Sequence, residues 1–335
     1  MIQIRQKGRI ARHPALALTA AALLFAGLAG CGTSSTSAQQ SSTTPTSSAP
    51  MSTEPTAAGA RAGTPSVNAA PNSGPVTGSP PHPASLPGVA SRLRVGSQWV
   101  NVLCTGAPSR EPTIVLVAGE QDPLTKFTAL QTTLSKTMRV CSYDRPGEGA
   151  SPAPAAQQSL SSAAALLDGV LEAAGVDGKV VLVGHSLGGL IATEFAHQYL
   201  PRLAALVLLD ASAPSVGGAI ESLIPATATG PAGEARAEVG GLSSAAMNTE
   251  KLVYSGAPIS SLGSLRMTVV QHGQPIYSVL PQYATRLQQI WTTGQQQLAQ
   301  LSSRSTLATA HNSGHYIYLD QQGLTVQLIE HATTG

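Results

Sequence analysis

One short stretch limits the folds open to this chain more than any other: Gly184-His185-Ser186-Leu187-Gly188. The apolar run Lys179-Val180-Val181-Leu182-Val183 precedes it, and Gly189-Leu190-Ile191-Ala192-Thr193-Glu194-Phe195-Ala196 follows. The first run reads as a buried strand and the second as a helix. A strand that turns into a helix within so few residues leaves no room for side chains at the flanks of the turn. Glycine lets the backbone bend there and pushes the serine hydroxyl out to where a base can reach it.

The rest of the domain has the alternation that such a turn requires. Ser91–Val95 and 99–103 read as an opening pair of strands. Thr113–Val117 is continuously apolar, the pattern of a strand buried on both faces of a parallel sheet, and Val140–Tyr143 is similar. Leu160, Ala163, Ala164, Leu167, Leu171 and Ala174 recur at helical spacing, which predicts an amphipathic helix over 158–174. Further strands are expected at 180–183, 204–209, 267–270 and 306–310. Strands alternating with helices imply right-handed crossovers and a mostly parallel sheet. Between about 211 and 263 the text changes to Gly, Ala, Ser and Pro, which predicts an insertion over the carboxyl edge of the sheet, a lid or cap.

Charge narrows the classes of partner. The formal +2 includes Arg5, Lys7, Arg9 and Arg12, and removing those four leaves −2 for the remainder. With charged residues at 11% and aromatics at 4%, nothing forms a nucleic-acid surface. The four cations and the apolar run over 15–28 form the n- and h-regions of a secretory signal, too short to span a bilayer, which needs about 20 residues. The junction Leu28-Ala29-Gly30-Cys31 resembles the lipobox of bacterial lipoproteins. That resemblance implies cleavage before Cys31, a diacylglyceryl group on it, and tethering to the outer face of the cell membrane. The expected organisation is a signal peptide over 1–30, a Ser/Thr/Pro/Ala-rich linker over 31–90 and a single α/β domain over 91–335. The linker has too few large apolar side chains to offset its ordering entropy.

A serine hydroxyl needs a base and a third group that orients the base. Two more segments bear on this: Tyr143-Asp144-Arg145-Pro146-Gly147-Glu148-Gly149-Ala150-Ser151 and Ser313-Gly314-His315-Tyr316-Ile317. Together with the turn at Ser186, in this order, they resemble the α/β-hydrolase fold family from about residue 91 to the end. The resemblance implies a mostly parallel eight-stranded sheet flanked by helices, with Ser186 as nucleophile and His315 as base. His185, His197, His272 and His311 lack that sequence context, although His272 is placed to line a pocket. Asp144 reads as a structural residue of its own tight loop, and Asp320 as a helix cap.

The acid departs from the family's common pattern. It usually follows the seventh strand, yet no Asp or Glu occurs from Leu265 through His315. Some members carry it after the sixth strand, where Asp210 stands. The alternative is that Asp210 caps its own turn and a Ser–His dyad operates. Glu221, Glu234, Glu238 and Glu250 fall in the insertion and read as poor rigid supports. The oxyanion donors implied are the N–H groups of Leu187 and Glu120, and the carboxylate of Glu120 must then be directed elsewhere. In the family's sheet the strands bearing Cys104 and Cys141 are neighbours, which implies a disulfide between them in an oxidising compartment. The other reading is two buried thiols. The resemblance implies acyl-bond hydrolysis, most simply of a carboxylic ester in a small-molecule or lipid substrate, without cofactor or metal. The rival is a surface lipoprotein that uses the fold as a binding module.

Overall fold

A computed structural model describes residues 88–334, apart from 109–111, 245–248, 255–256 and 258. The signal, Cys31 and most of the linker lie outside the described residues. In chain order the strands are β1 (Ser91–Val95), β2 (Gln98–Thr105), β3 (Thr113–Val117), β4 (Val140–Tyr143), β5 (Gln158–Ser159), β6 (Val180–His185), β7 (Leu203–Leu209), β8 (Leu252–Val253), β9 (Arg266–His272) and β10 (Ser305–Ala310). The helices used below are α1 (Thr128–Leu134), α2 (Leu160–Ala173), α3 (Leu187–Gln198), α4 (Val216–Leu223), α5 (Gly230–Ser244), α6 (Ala284–Ala299), α7 (Ile317–Asp320) and α8 (Gln322–Thr334).

Eight strands form one sheet in the order β1-β2-β4-β3-β6-β7-β9-β10. The pairs β1–β2 and β2–β4 are antiparallel, and every other pair is parallel. The apolar runs explain this layout, because side chains alternate between faces along a strand. Val115, Leu182, Leu206 and Leu208 pack on one side with Leu167 and Leu171 of α2, Phe195 of α3 and Leu287, Trp291 and Leu298 of α6. Ile114, Leu116, Val181, Val183 and Val207 pack on the other with Leu130 and Leu134 of α1 and Ile329 of α8. Strands β3, β6 and β7 therefore each supply two core layers. Leu182 and Leu206 are fully buried, and truncating either to Ala would cost about 2–5 kcal/mol.

Local signals fix the ends. Helix α2 starts at a capping box, with Ser159 Oγ accepting from Ser162 N–H (3.1 Å) and Ser162 Oγ accepting from Ser159 N–H (2.8 Å). Cys104 and Cys141 face each other in the β2–β4 register and form a disulfide.

The insertion is more ordered than its composition suggests. It carries α4 and α5, and its short strand β8 pairs with β5 in a separate two-stranded ladder. Ile220, Ile224, Ala232 and Ala235 are buried in the same core layer as α6. Glu250, read from sequence as a poor support, is 2% exposed and ion-paired to Arg145 (Nη2–Oε1 2.6 Å, Nε–Oε2 2.7 Å). A buried charge cannot remain unpaired, so this carboxylate is fixed by its guanidinium partner.

Candidate active site

Ser186 stands between β6 and α3 with φ 51° and ψ −124°. A non-glycine residue in this conformation stores roughly 1–3 kcal/mol of strain and persists only where its surroundings enforce it. The surroundings here are crowded backbone. A Cβ at Gly184 would lie 2.6 Å from Gly189 Cα, and one at Gly188 would lie 2.2 Å from the carbonyl oxygen of Ala118. Only glycine lets the start of α3 close over the ends of β6 and β3. As the first helical residue, Leu187 has an N–H with no intrahelical acceptor.

Backbone bonds tie Ser186 to the acid segment. Its N–H donates to Leu209 O (3.3 Å), and its carbonyl accepts from Ser212 N–H (3.0 Å). Asp210 lies between those two residues, fully buried, and itself has positive φ (44°). Ties to the base segment come from the other neighbour. His185 Nε2–H donates to His315 O (3.1 Å), and the two rings lie 4.4 Å apart. Burial, reinforced by His315, holds His185 well below the usual histidine range, so it is a neutral donor.

Asp210 and His315 meet directly: Nδ1 of His315 is 2.6 Å from Oδ2 of Asp210. With Nδ1 donating to the carboxylate, Nε2 is left with its lone pair, and it is buried without a hydrogen-bond partner among the described residues. The loop bearing His315 is held on two sides. Ser313 O accepts from Gly273 N–H (3.1 Å) and Gln274 N–H (2.9 Å). Asp320 Oδ2 accepts from Gly314 N–H (2.9 Å) and Ser313 Oγ (3.1 Å). Asp320 thus braces the histidine loop and does not cap the last helix.

Sequence reasoning did not find the remaining partners of Asp210. His272, the last residue of β9, brings Nδ1 to 2.8 Å from Oδ2 and its N–H to 3.0 Å from Oδ1. Trp291 Nε1–H donates to Oδ1 at 2.8 Å. Burial alone would raise the carboxyl, but the hydrogen bonds from His272 and His315 pull it well below the usual carboxylate range. The seventh of the eight strands therefore delivers a histidine to the carboxylate instead of the family's acid.

The loop after β3 completes the cleft. Arg145 donates to the carbonyls of Ala118 and Gly119 (2.8 Å to the latter), so the Glu250 ion pair also anchors this loop. Asp144 behaves as expected, accepting from Leu124 N–H (2.6 Å), Ala150 N–H (2.9 Å) and Asn101 Nδ2 (2.8 Å). The Glu120 carboxyl is pushed up to about 7, by burial first and then by Glu250. It is therefore largely protonated, and uncharged, in mildly acid solution. His197 and His311 are exposed and take no part.

A sequence model described as alpha/beta hydrolase fold matches residues 112–307. Lipase LipV of Mycobacterium tuberculosis is 37% identical over 106 residues, 30% of this chain and 39% of that protein. A carbendazim-hydrolysing esterase of Nocardioides is 42% identical over 57 residues, 17% of this chain and 23% of that protein. The chain spans well under half the length of the curated relatives it matches, from 15% to 39%. Carboxylesterase CesB of Bacillus subtilis has the same fold, with 16% identity, a TM-score of 0.53 and coverage of 75% of this chain and 93% of that one. The sheet order, the strained turn at Ser186 and the matched stretch agree, and the chain belongs to the α/β hydrolase fold family.

Proposed function

We propose that this protein is a serine hydrolase acting on a carboxylic ester, with Ser186 as nucleophile, His315 as general base and Asp210 as the orienting acid. The single observation that carries this reading is the buried Asp210–His315 contact beside the elbow, with the opposite nitrogen of His315 free to accept a proton. It also favours catalysis over the binding-module reading, because it supplies the acid that the seventh strand lacks. The names of the lipase and esterase relatives support ester chemistry.

Each group then has a defined step. Ser186 Oγ attacks the acyl carbon while its proton passes to His315 Nε2. Asp210 stabilises the imidazolium through Nδ1. The carbonyl oxygen becomes an oxyanion that accepts from Leu187 N–H and Glu120 N–H, where one such donor is worth roughly 10²–10³ in rate. The leaving alcohol takes the proton from Nε2, and water activated by the same nitrogen releases the acid from the acyl-serine.

A panel of p-nitrophenyl esters of increasing chain length tests the reading. Wild type should release nitrophenolate, and Ser186→Ala should fall to background. Equal rates in the two proteins would refute it. The proposal includes export and lipid anchoring at Cys31. Labelled palmitate should enter the protein in cells and fail to enter Cys31→Ser; labelling of that variant would refute the anchor.

A further inference from the structure

The carboxylate of Asp210 faces two imidazoles, although the reaction uses one. Oδ2 is shared by His315 Nδ1 (2.6 Å) and His272 Nδ1 (2.8 Å), and all of it lies in the interior, with His272 and His315 each 3% exposed. A buried carboxylate with no counter-charge carries a large desolvation cost. One proton taken up by a neighbouring imidazole removes that cost. The question is which imidazole holds it.

The acceptors around the two rings answer it. His272 has an oxygen at each nitrogen: Asp210 at Nδ1 and Gln288 Oε1 at Nε2 (2.9 Å). Its doubly protonated form therefore satisfies both N–H groups. His315 has an acceptor at Nδ1 only, and its Nε2 is buried without a partner among the described residues. A proton placed there would have nothing to donate to until an oxyanion and leaving group arrive.

We propose that His272 is a positioning residue that stays an imidazolium, neutralises Asp210, and so leaves Nε2 of His315 without a proton at the start of each cycle. This deepens the triad reading and rests on it. The other groups around His272 do not compete. From the turn after β7 there is Asp210. From α6 come Gln288 and the indole of Trp291, which donates to Asp210. From the loop after β9 comes the ring edge of Tyr277 (centroids 6.5 Å apart), a phenol that burial keeps protonated. From the loop after β10 comes His315 itself. The direction of the charge balance agrees: burial alone would lower His272, but its hydrogen bond and attraction to Asp210 outweigh this and raise it.

Two measurements test the inference, and one is independent of turnover. In ¹⁵N imidazole NMR of the wild type, His272 should show two protonated nitrogens at about pH 7, while His315 shows an unprotonated Nε2. A single protonated nitrogen on His272 there, as a reversed Gln288 amide would produce, overturns the proposal. In the pH profile of kcat/KM, His272→Gln should move the acid limb up by about one unit, because Asp210 then draws a proton onto His315. Gln288→Leu removes only the second acceptor, and it should move the limb the same way by less. It also serves if His272→Gln does not fold. A limb that stays in place while kcat/KM falls equally at every pH would reduce His272 to a structural role. Absence of any esterase activity in the wild type would instead sink the triad reading and leave the NMR result to stand or fall by itself.

Discussion

His315 Nδ1 lies 2.6 Å from Asp210 Oδ2, although 105 residues separate the two along the chain. The contact exists because β7 and β10 end at the same edge of the sheet, with β9 between them to carry the second histidine. Asp210 follows the sixth strand of the eight and still reaches the histidine that follows the last.

Replacing Asp210 with Asn should keep the shape and lose the chemistry. The amide presents the wrong group to Nδ1 and favours the wrong imidazole tautomer. kcat on an activated ester should fall by roughly 10³–10⁴. Full turnover by Asp210→Asn would show that the acid lies elsewhere or is unnecessary.

The Arg145–Glu250 pair should be a point of high sensitivity. Both groups are about 2% exposed, and the guanidinium also holds the carbonyls of Ala118 and Gly119. Glu250→Gln leaves a buried cation without its counter-charge, at a cost of about 3–5 kcal/mol. Urea unfolding monitored by tryptophan fluorescence measures this. A loss below about 1 kcal/mol would mean that the pair is solvated.

Glu238 on α5 gives stability an unusual pH dependence. Its Oε2 is buried without a hydrogen-bond partner among the described residues, and burial, helped by Glu120, pushes its carboxyl up to about 8. Between the ordinary value of 4.5 and about 8, the folded state keeps a proton that the unfolded chain has lost. Its contribution is therefore full below the unfolded value and disappears as pH rises through the folded one. Glu238→Gln should stabilise the protein by about 1–2 kcal/mol at pH ~8.5, and hardly at all at pH ~4. Thermal melts at the two pH values decide it; equal Tm differences at both would contradict the assignment.

The disulfide closes a loop of 37 residues between Cys104 and Cys141. By loop entropy it should contribute roughly 3–4 kcal/mol. A dithiothreitol-treated sample should melt lower than the oxidised one by a corresponding margin, and Cys104→Ser/Cys141→Ser should match the reduced protein. No difference would indicate compensating structure in the reduced unfolded chain.

The sheet was legible because its central strands are buried on both faces. Ser91–Val95, Thr113–Val117 and Val140–Tyr143 match their expected bounds, and the other strands of the sheet differ by one to three residues in all, where apolar runs stop before the hydrogen bonds do. Helix α5 was not legible: its Gly-, Ala- and Glu-rich text has little one-sided apolar character, and its few buried contacts, such as Ala232 and Ala235, are small. Ser186 and His315 could be found from local motifs, since each motif encodes a local backbone shape. Asp210 was reached through the absence of other carboxylates. The partners that complete it could not be read: Trp291 lies 81 residues away on α6, and His272 has no neighbouring motif. Contacts at such separations are set by the packing of helix on sheet, which no local pattern records.

The central claim is that Ser186 is an activated nucleophile, and intact-protein mass spectrometry after treatment with a fluorophosphonate addresses it most directly. One adduct should form on the wild type, map to the peptide containing Ser186, and be absent from Ser186→Ala. An unmodified wild type, or an adduct that persists in Ser186→Ala, would contradict the account.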